Sequence, residues 1–421
     1  MTGTGTDADA APVTSAEANG TAGLRGPLRG VRILDLGTMI AAPYGASLLA
    51  DFGADVIKIE LPGGGDSSRA LLPHLDGYSL RHATLNRNKR CVTLDLRSDA
   101  GRSLLLRLVA QSDLLLENFR PGTLDRYGLD LATLTAANPR LIVVRISGYG
   151  QSGPNRALAG FGTPATAFSG VTALSGFPDR PPTSPPFSLA DYVAGMTAAL
   201  ASVMALYHRD VHHDASGQDV DVSLYEPLFR MLESAVGEYA HHGVVRERSP
   251  GVSAGSSPNG TFETADGKWV VLVTSTERTW QRLPAAIDRP DLLDDPRFRT
   301  NTDRVQHDAE LIPIIRDWFR SLPWVEIKAR LDAAGCPVSL VLAIDDIFSD
   351  PHYAARENVI QIDHPTLGSI TMPGVVPHFS GTPGKVIHPG RDIGADNESI
   401  YGDLLGVSSE ELEQLRQSGV I

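Results

Sequence analysis

The chain has 421 residues, of which 42% are hydrophobic and 21% charged, and its formal net charge is −13. The length favours two domains, and the composition is that of an ordinary globular protein. The acidic balance supplies no basic field for nucleic acid or an anionic membrane, so neither is expected as a partner. Two cysteines, Cys91 and Cys336, are too few for a disulfide framework or a metal cage, which indicates a cytoplasmic protein without a metal.

Residues 1–27 are rich in Ala, Thr and Gly and lack the basic and apolar regions of a signal peptide, which predicts a disordered tail. No later stretch is expected to reach the apolar length of a membrane span. From residue 30, short apolar runs alternate with helical patterns, and strands are predicted at 31–37, 55–60, 91–96, 113–118 and 140–147. This alternation predicts a parallel, doubly wound α/β sheet.

Two helical stretches carry packing signals. In 98–112, Ser98 is a plausible N-cap, and Leu104, Leu105 and Leu108 share one apolar face. The stretch 189–210 has small residues at 190, 194, 195, 198 and 199, which predicts close packing against a neighbouring backbone. Farther on, a hairpin is predicted at 259–275 and a helical part of a smaller α+β domain at 295–335.

The turn after the first strand, "DLGTMIAAPYG" (35–45), has neither the GxGxxG nor the P-loop pattern, which disfavours dinucleotide dehydrogenases and P-loop NTPases. The motif "ENFRPG" (117–122) directly follows a predicted strand. Its Asn118 and Phe119 suit an adenine ring, and Arg120 suits a phosphate. The alternative is a plain strand-end turn, and the motif alone leaves both open.

Several motifs together resemble the family III CoA-transferases, the group of formyl-CoA transferase, carnitine CoA-transferase and the α-methylacyl-CoA racemases. They include "LNRNKRCVTLDLR", "ENFRPGTLDRYGL", "NPRLIVVRISGYGQSGP" and "GQDVDVSLYE", in the family's order. The resemblance implies a Rossmann-like large domain made from 28–215 and 346–421, a small domain at 216–345, and an intertwined dimer. It also implies that acyl-CoA and a carboxylic acid are the substrates, with no permanently bound cofactor.

Carried across by position, the resemblance places the coenzyme contacts in five segments. These are Ile40 and Ala41; Leu94, Asp95, Leu96 and Arg97; Asn118, Phe119 and Arg120; Arg126; and Ser147, Gly148 and Tyr149. One departure concerns Leu61, which stands where formyl-CoA transferase has an arginine. A contact to adenine or phosphate is weakened there.

The stretch 157–178 contains no Asp, Glu, Lys, Arg, His or Cys, although the resemblance places the nucleophile in it. The family's nucleophilic aspartate aligns with Gly162, and the His-Asp pair of the racemases aligns with Phe161 and Gly162. A glutamate found four residues later in some members is Thr166 here. The segment is therefore interpreted as an active site that has lost its own reactive group, or as a packed loop and helix only.

Asp191 is the best remaining carboxylate, with a helix-capping role as its alternative. The preferred function is CoA transfer with an atypical or absent nucleophile. The alternatives are a nucleophile-lacking subunit of a heteromeric transferase, an acyl-CoA epimerase or isomerase, and a non-catalytic acyl-CoA binding protein. A homodimer is expected, with a heteromer of related subunits as the alternative, and the apolar run 161–168 favours a non-polar acyl group.

Overall fold

The computed structural model describes residues 26–212, 216–249, 255–274 and 276–421. Most of the predicted tail therefore lies outside the described residues. Its end is corrected, because Gly26 is buried and the Leu28 N–H donates to the Phe52 carbonyl at 3.0 Å. The described chain forms two compact units, a large one from 26–169, 185–232 and 356–421, and a small one from 170–184 and 233–355.

The strands lie within about three residues of the predicted ones where a prediction was made. They are β1 (Arg32–Asp35), β2 (Asp55–Glu60), β3 (His74–Leu75), β4 (Tyr78–Ser79), β5 (Arg90–Thr93), β6 (Leu114–Glu117), β7 (Ile142–Ser147), β8 (Asp219–Ser223), β9 (Asn259–Glu263), β10 (Trp269–Val273), β11 (Val338–Leu340), β12 (Val359–His364) and β13 (Gly368–Pro373).

The helices of the large unit are α1 (Ala41–Asp51), α2 (Leu80–Leu85), α3 (Asp99–Val109), α4 (Thr123–Arg126), α5 (Leu131–Ala137), α6 (Gly162–Phe168), α8 (Leu189–Val211), α9 (Glu226–Phe229) and α18 (Ser409–Gln417). Those of the small unit are α7 (Val171–Leu174), α10 (Ala235–His242), α11 (Glu277–Trp280), α12 (Leu283–Ala286), α13 (Asn301–Gln306), α14 (Asp308–Ser321), α15 (Trp324–Ala334), α16 (Ile344–Ser349) and α17 (Pro351–Ala355). The predicted N-cap of α3 is confirmed, because the Ser98 side chain accepts a hydrogen bond from the Gly101 N–H at 3.0 Å.

The large unit is built on a six-stranded sheet in the order β5–β2–β1–β6–β7–β8, and every neighbouring pair is parallel. This confirms the predicted α/β class. Counted along the chain the order is 3-2-1-4-5-6, which reverses direction between β1 and β6. In such sheets ligands bind outside the carboxyl ends of the strands at the reversal.

Helices cover the sheet on both faces. On one face, alternate strand residues such as Leu34, Ile57 and Leu115 join a buried core with the three α3 leucines predicted to share a face. On the other face α1 and α8 pack against the strands and against each other. The α1–α8 contact confirms the predicted close packing, because a Cβ placed on Gly45 would lie 2.8 Å from the Gly195 carbonyl oxygen.

Helix α8 corrects one expectation. It is long and apolar enough to cross a membrane by length and composition alone, although no such stretch was expected. Part of its apolar character is explained by the alanine and glycine face packed on α1, and 44% of its most apolar window is buried.

The small unit holds a three-stranded antiparallel sheet in the order β11–β10–β9, and the predicted hairpin is its β9–β10 pair. The boundaries of the unit differ from the expected 216–345. Strand β8 pairs with β7, so residues 219–223 belong to the large unit. Residues 170–184 belong to the small one, where the Ser249 N–H donates to the Leu174 carbonyl at 3.2 Å.

Candidate active site

One cavity of about 230 Å³ opens at the carboxyl ends of β1, β2, β5 and β6, beside the reversal in strand order. Five of the residues expected to contact the coenzyme line it, namely Leu94, Asp95, Leu96, Arg97 and Phe119. The sequence did not single out Thr38, Lys58 and Tyr127, which also line it. Tyr127 lies in a motif that carried the resemblance and Thr38 in the turn after the first strand, but only the folded sheet brings these two side chains and that of Lys58 to one place.

The walls of this cavity are mainly apolar, with one arginine at its rim. Leu61, which is 46% exposed, occupies the position where an arginine was expected. The Arg97 guanidinium is paired with the Asp95 carboxylate at 2.8 Å. The apolar walls suit a heteroaromatic ring, and the Arg97 charge beside them is shared with Asp95.

The "ENFRPG" turn is stabilised by hydrogen bonds between its own side chains and backbone groups. The Asn118 side chain accepts from the Thr38 N–H and donates to the Thr38 carbonyl, both at 2.7 Å. Its amide is thus engaged with the backbone instead of facing an adenine. The buried Glu117 carboxyl accepts from the Phe119 N–H at 2.6 Å, and burial raises the pKa of Glu117 to about 8.

Two arginines predicted as coenzyme contacts, Arg120 and Arg126, lie outside this cavity and are exposed. Arg120 lines a smaller cavity together with Glu117 and Arg145. Arg126 donates to the Thr123 hydroxyl at 3.0 Å.

The segment Ser147–Tyr149 touches the uncharged segment that follows it in the chain. A Cβ on Gly148 would lie 2.6 Å from the Gly160 Cα, so the two backbones are in direct contact. The ring of Tyr149 meets that of Phe168 at 5.1 Å between centroids. The buried Ser147 hydroxyl has no hydrogen-bond partner within the described ranges.

Gly162 opens α6, and Asp191 lies in the first turn of α8. The Asp191 carboxylate fills the space that a side chain at position 162 would need. A Cβ built on Gly162 would lie 1.9 Å from the Asp191 Oδ2, far inside any non-bonded contact. The uncharged segment therefore has a carboxylate beside it, supplied by another helix.

The Asp191 carboxylate is half-buried, and no hydrogen bond or ion pair to it occurs in the part of the chain that the structure describes. Burial alone raises its pKa from 3.8 to about 6. Asp191 is not the N-cap of α8, which is Ser188, but as an acid in the first turn it remains placed to interact with the helix dipole. An unpaired, partly desolvated carboxylate is a stronger nucleophile than one held by hydrogen bonds.

Helix α8 is anchored beside another of the predicted coenzyme segments. One turn after Asp191, a Cβ on Gly195 would lie 2.6 Å from the Ala41 carbonyl oxygen. The rings of Tyr44 and Tyr192 meet edge-on at 4.8 Å between centroids. The start of α8 is thereby fixed against the Ile40–Ala41 segment, which is buried and begins α1.

The sequence profile of the family described as CoA-transferase family III matches residues 28–397. The protein belongs to this family. The family identification made from the motifs is thus confirmed, and CoA thioesters are the substrates of this class of transferase.

Several curated relatives align with nearly the whole of this family III protein. It is 41% identical to succinyl-CoA–D-citramalate CoA-transferase of Chloroflexus aurantiacus, over 94% of this chain and 98% of that one. It is 40% identical to the beta subunit of succinyl-CoA–L-malate CoA-transferase of the same organism, over 94% and 98%. Formyl-CoA:oxalate CoA-transferase of Streptomyces coelicolor is 32% identical over 94% and 99%.

Solved structures support the fold of this family III protein. A CAIB/BAIF family protein from Brucella suis has a TM-score of 0.78 and 29% identity, over 90% of this chain and 100% of that one. Rv3272 from Mycobacterium tuberculosis also has a TM-score of 0.78 and 29% identity, over 89% and 99%.

The cavity and the Asp191–Gly162 pair thus include both predicted and unpredicted features. The sequence indicated the cavity residues Leu94–Arg97 and Phe119 and named Asp191. It did not indicate that Asp191 and Gly162 share one space. No group of three His, Cys, Asp or Glu side chains suited to a metal ion occurs among the residues that the structure describes.

Proposed function

We propose that the protein transfers CoA from an acyl-CoA to a free carboxylic acid and that Asp191 is the nucleophile. Family membership supports the reaction class. The observation that carries the assignment of the nucleophile is the 1.9 Å between the Asp191 Oδ2 and the position of a Cβ on Gly162. A carboxylate is retained at the place where the sequence alone suggested that it had been lost.

In the first half-reaction an Asp191 carboxylate oxygen attacks the thioester carbonyl carbon. The C–S bond breaks, CoA leaves as the thiolate, and an acyl–aspartyl anhydride forms. The thiolate then attacks the aspartyl carbonyl of the anhydride. The donor acid leaves as its carboxylate, and CoA becomes bound to Asp191 as a thioester.

In the second half-reaction the acceptor acid enters as a carboxylate. Its oxygen attacks the Asp191 thioester carbonyl and expels the CoA thiolate, which gives a second anhydride. The thiolate attacks the acyl carbonyl of the acceptor, the bond to Asp191 breaks, and the free aspartate is regenerated. No net proton is consumed, so the reaction needs a nucleophile but no general acid.

The environment of Asp191 suits these steps. Without a hydrogen-bond partner in the described parts of the chain, its carboxylate loses little stabilisation when it attacks. Since Gly162 has no side chain, the carboxylate remains reachable from that side. We infer that glycine is selected at 162 by the carboxylate beside it.

The covalent thioester can be tested on the purified protein without an acceptor acid. Incubation with succinyl-CoA is expected to increase the intact mass by the mass of CoA less one water. Peptide mapping should locate the modification at Asp191. A modification at another residue, or none at all with a protein that binds CoA, would contradict the assignment.

The pH dependence of kcat/KM is expected to report Asp191. Because burial raises its pKa to about 6, the nucleophilic form is lost as the pH falls through that value. We therefore expect a plateau above about pH 7 and a tenfold fall per pH unit well below about pH 6. The acceptor should have a pKa well below 5 so that it stays ionised. A midpoint near about 4, the ordinary value of an aspartate, would contradict the burial argument.

For the acids we propose succinyl-CoA as donor and a branched or hydroxylated C4–C5 dicarboxylate as acceptor. The support is the names of the relatives at 40–41% identity, which include D-citramalate and L-malate. This differs from the non-polar acyl group suggested by 161–168, and a panel that contains both kinds of acid decides between them. The acceptor with the highest kcat/KM identifies the class.

We further propose that two copies of the chain associate through α8. Beside the face packed on α1, this helix carries exposed apolar side chains at intervals of one to four residues, namely Met196, Leu200, Val203, Met204, Tyr207 and Val211. With Phe52 and Phe379, part of this row lines an apolar groove of about 700 Å³. An apolar surface of this extent marks an interface, and a second copy covers it symmetrically.

The variant Leu200→Asp is expected to weaken this association, because it places a charge in the middle of the apolar row. Light scattering after gel filtration should change from twice the 45.0 kDa chain mass to the chain mass itself. The matched control is Val325→Asp, since Val325 is 75% exposed on α15 of the small unit. A dimer that survives Leu200→Asp would contradict the assigned surface.

The heteromer alternative has its own outcome in the same experiment. Relatives occur as alpha and beta subunits of one transferase, at 39% and 40% identity. A chain that is monomeric and inactive alone, but dimeric and active with a related chain, would assign the α8 surface to that partner. Activity of the pure chain that depends on Asp191 excludes both a silent subunit and a non-catalytic binding protein.

A further inference from the structure

The turn Gly37–Met39, between β1 and α1, has every backbone N–H bonded to a side chain from elsewhere. The Gly37 N–H donates to Asp35 Oδ1 at 2.9 Å, and the Thr38 N–H to the Asn118 amide oxygen at 2.7 Å. The Met39 N–H donates to Asp66 Oδ1 at 3.0 Å. Three side chains thus determine the path of the backbone that leads into the Ile40–Ala41 segment.

Met39 is the unusual residue of this turn. Its φ is +65°, in the left-handed region that residues other than glycine rarely adopt. Met39 has no short polar side chain, such as that of asparagine or aspartate, that would favour this conformation. The conformation must therefore be imposed by the contacts around it, and the bond to Asp66 is the contact that its own N–H makes.

Asp66 is only 3% exposed and is itself fixed from three sides. Its Oδ1 also accepts from the Ser68 N–H at 2.7 Å, and its own N–H donates to Glu60 Oε2 at 2.8 Å. Its Oδ2 pairs with the Lys58 ammonium at 2.7 Å. Asp66 lies at the end of the glycine-rich segment "LPGGGD" (61–66), which follows β2.

The ion pair ensures that Asp66 is present as a carboxylate. Burial by itself would raise the pKa of Asp66, but the Lys58 ammonium and the two backbone N–H groups outweigh it and hold the pKa below its usual range. Lys58 also donates to the Gly37 carbonyl oxygen. Both Lys58 and Asp66 line the same cavity as Thr38. The residues that hold the Gly37–Met39 turn are therefore also part of the cavity wall.

We propose that Asp66 is a positioning residue for the coenzyme: by holding the Met39 N–H it keeps the Gly37–Met39 turn in the conformation that shapes the cavity. The inference rests on the proposed function, because the cavity is taken to receive CoA. Asp66 does not act on the reacting atoms. Its effect on binding passes through the backbone of Met39.

The test is the dissociation constant of free CoA, measured by calorimetry in an Asp191→Asn background so that no chemistry occurs. Asp66→Ala is expected to weaken CoA binding about tenfold, since the turn is then free to leave the left-handed conformation. Asp66→Asn keeps an oxygen acceptor for the Met39 N–H, so its affinity for CoA should fall much less. Equal losses in the two variants would mean that only the charge matters and would overturn the proposal.

Met39 supplies the decisive comparison. In a Met39→Gly background the left-handed conformation is freely available. Asp66→Ala should then weaken CoA binding by only about twofold. If the loss stays tenfold, Asp66 does not act through Met39 and the proposal is wrong. Thermal unfolding will show whether Asp66→Ala folds. If it does not, the same binding measurement is made on Met39→Val and Met39→Asn instead.

Valine strongly disfavours a positive φ, whereas asparagine tolerates it. Met39→Val should therefore weaken CoA binding and Met39→Asn should not, and equal affinities would overturn the proposal. Failure of this inference is distinguishable from failure of the proposed function. In the first case CoA binds but ignores Asp66 and Met39, and in the second it does not bind to the parent protein.

Discussion

Asp191→Asn is expected to lower kcat for CoA transfer by at least about 1,000-fold, because an amide oxygen cannot form the anhydride or the enzyme–CoA thioester. The substitution keeps the shape of the side chain, so the dissociation constant of CoA should change little. Turnover with succinyl-CoA and the best acceptor, together with CoA calorimetry, checks both statements. A loss in kcat without a loss of binding is the signature of a nucleophile.

Asp210→Asn is the matched control, because Asp210 lies on the same helix, is half exposed and is ion-paired with the buried Arg209 and the exposed Arg140. It should leave kcat within about twofold of the parent value. If Asp191→Asn abolishes CoA transfer but hydrogen–deuterium exchange at the acyl α-carbon persists, the epimerase alternative gains support. If Asp191→Asn retains full transfer activity, another residue is the nucleophile and the proposed mechanism falls.

Gly162→Ala is expected to disable the site although it adds one methyl group. That methyl would lie 1.9 Å from Asp191 Oδ2 and 2.9 Å from its Cγ, so the carboxylate or the start of α6 must move. Overpacking of this kind costs about 1–3 kcal/mol. We expect a lower melting temperature and a fall in kcat of at least about tenfold, since a displaced nucleophile loses its alignment.

The cause can be isolated with a double-mutant cycle. In an Asp191→Ala background the carboxylate is absent, so the stability cost of Gly162→Ala should largely disappear. Gly237→Ala is the control for the glycine substitution itself. Gly237 lies in α10, has no neighbour within 4 Å of an added Cβ, and should tolerate alanine without loss of activity. If the losses in stability caused by Gly162→Ala and Asp191→Ala simply add, the two side chains do not compete for one space.

The turn residues around the cavity show what the sequence could not predict, namely the hydrogen-bond partners of their polar side chains. The motif "ENFRPG" indicated that Asn118 and Phe119 serve one site; Phe119 lines the cavity, and Asn118 is bonded to Thr38, which also lines it. The role expected of the Asn118 amide differs, because it pairs with the backbone of Thr38, a residue 80 positions away. Motif reasoning names the residue types of a site, but the partner of each polar atom depends on which segments meet.

Much of the architecture followed from the amino-acid sequence alone. The alternation of apolar strands with helices determined the parallel sheet, and Ser98 determined where α3 begins. The alanines and glycine of 189–210 determined that α8 would lie close to another backbone. These features are local, because the hydrophobic period, the cap and the size of a side chain are properties of neighbouring residues.

The surroundings of position 162 in the candidate active site were decided only by the tertiary structure. Position 162 by itself indicated a lost nucleophile, since glycine carries no reactive group. The fold places the Asp191 carboxylate in the space of the missing side chain, although 29 positions separate the two residues along the chain. The physical reason is that a site is formed by segments that are distant in sequence. Which side chains occupy or exclude one another from a given space depends on how those segments pack together.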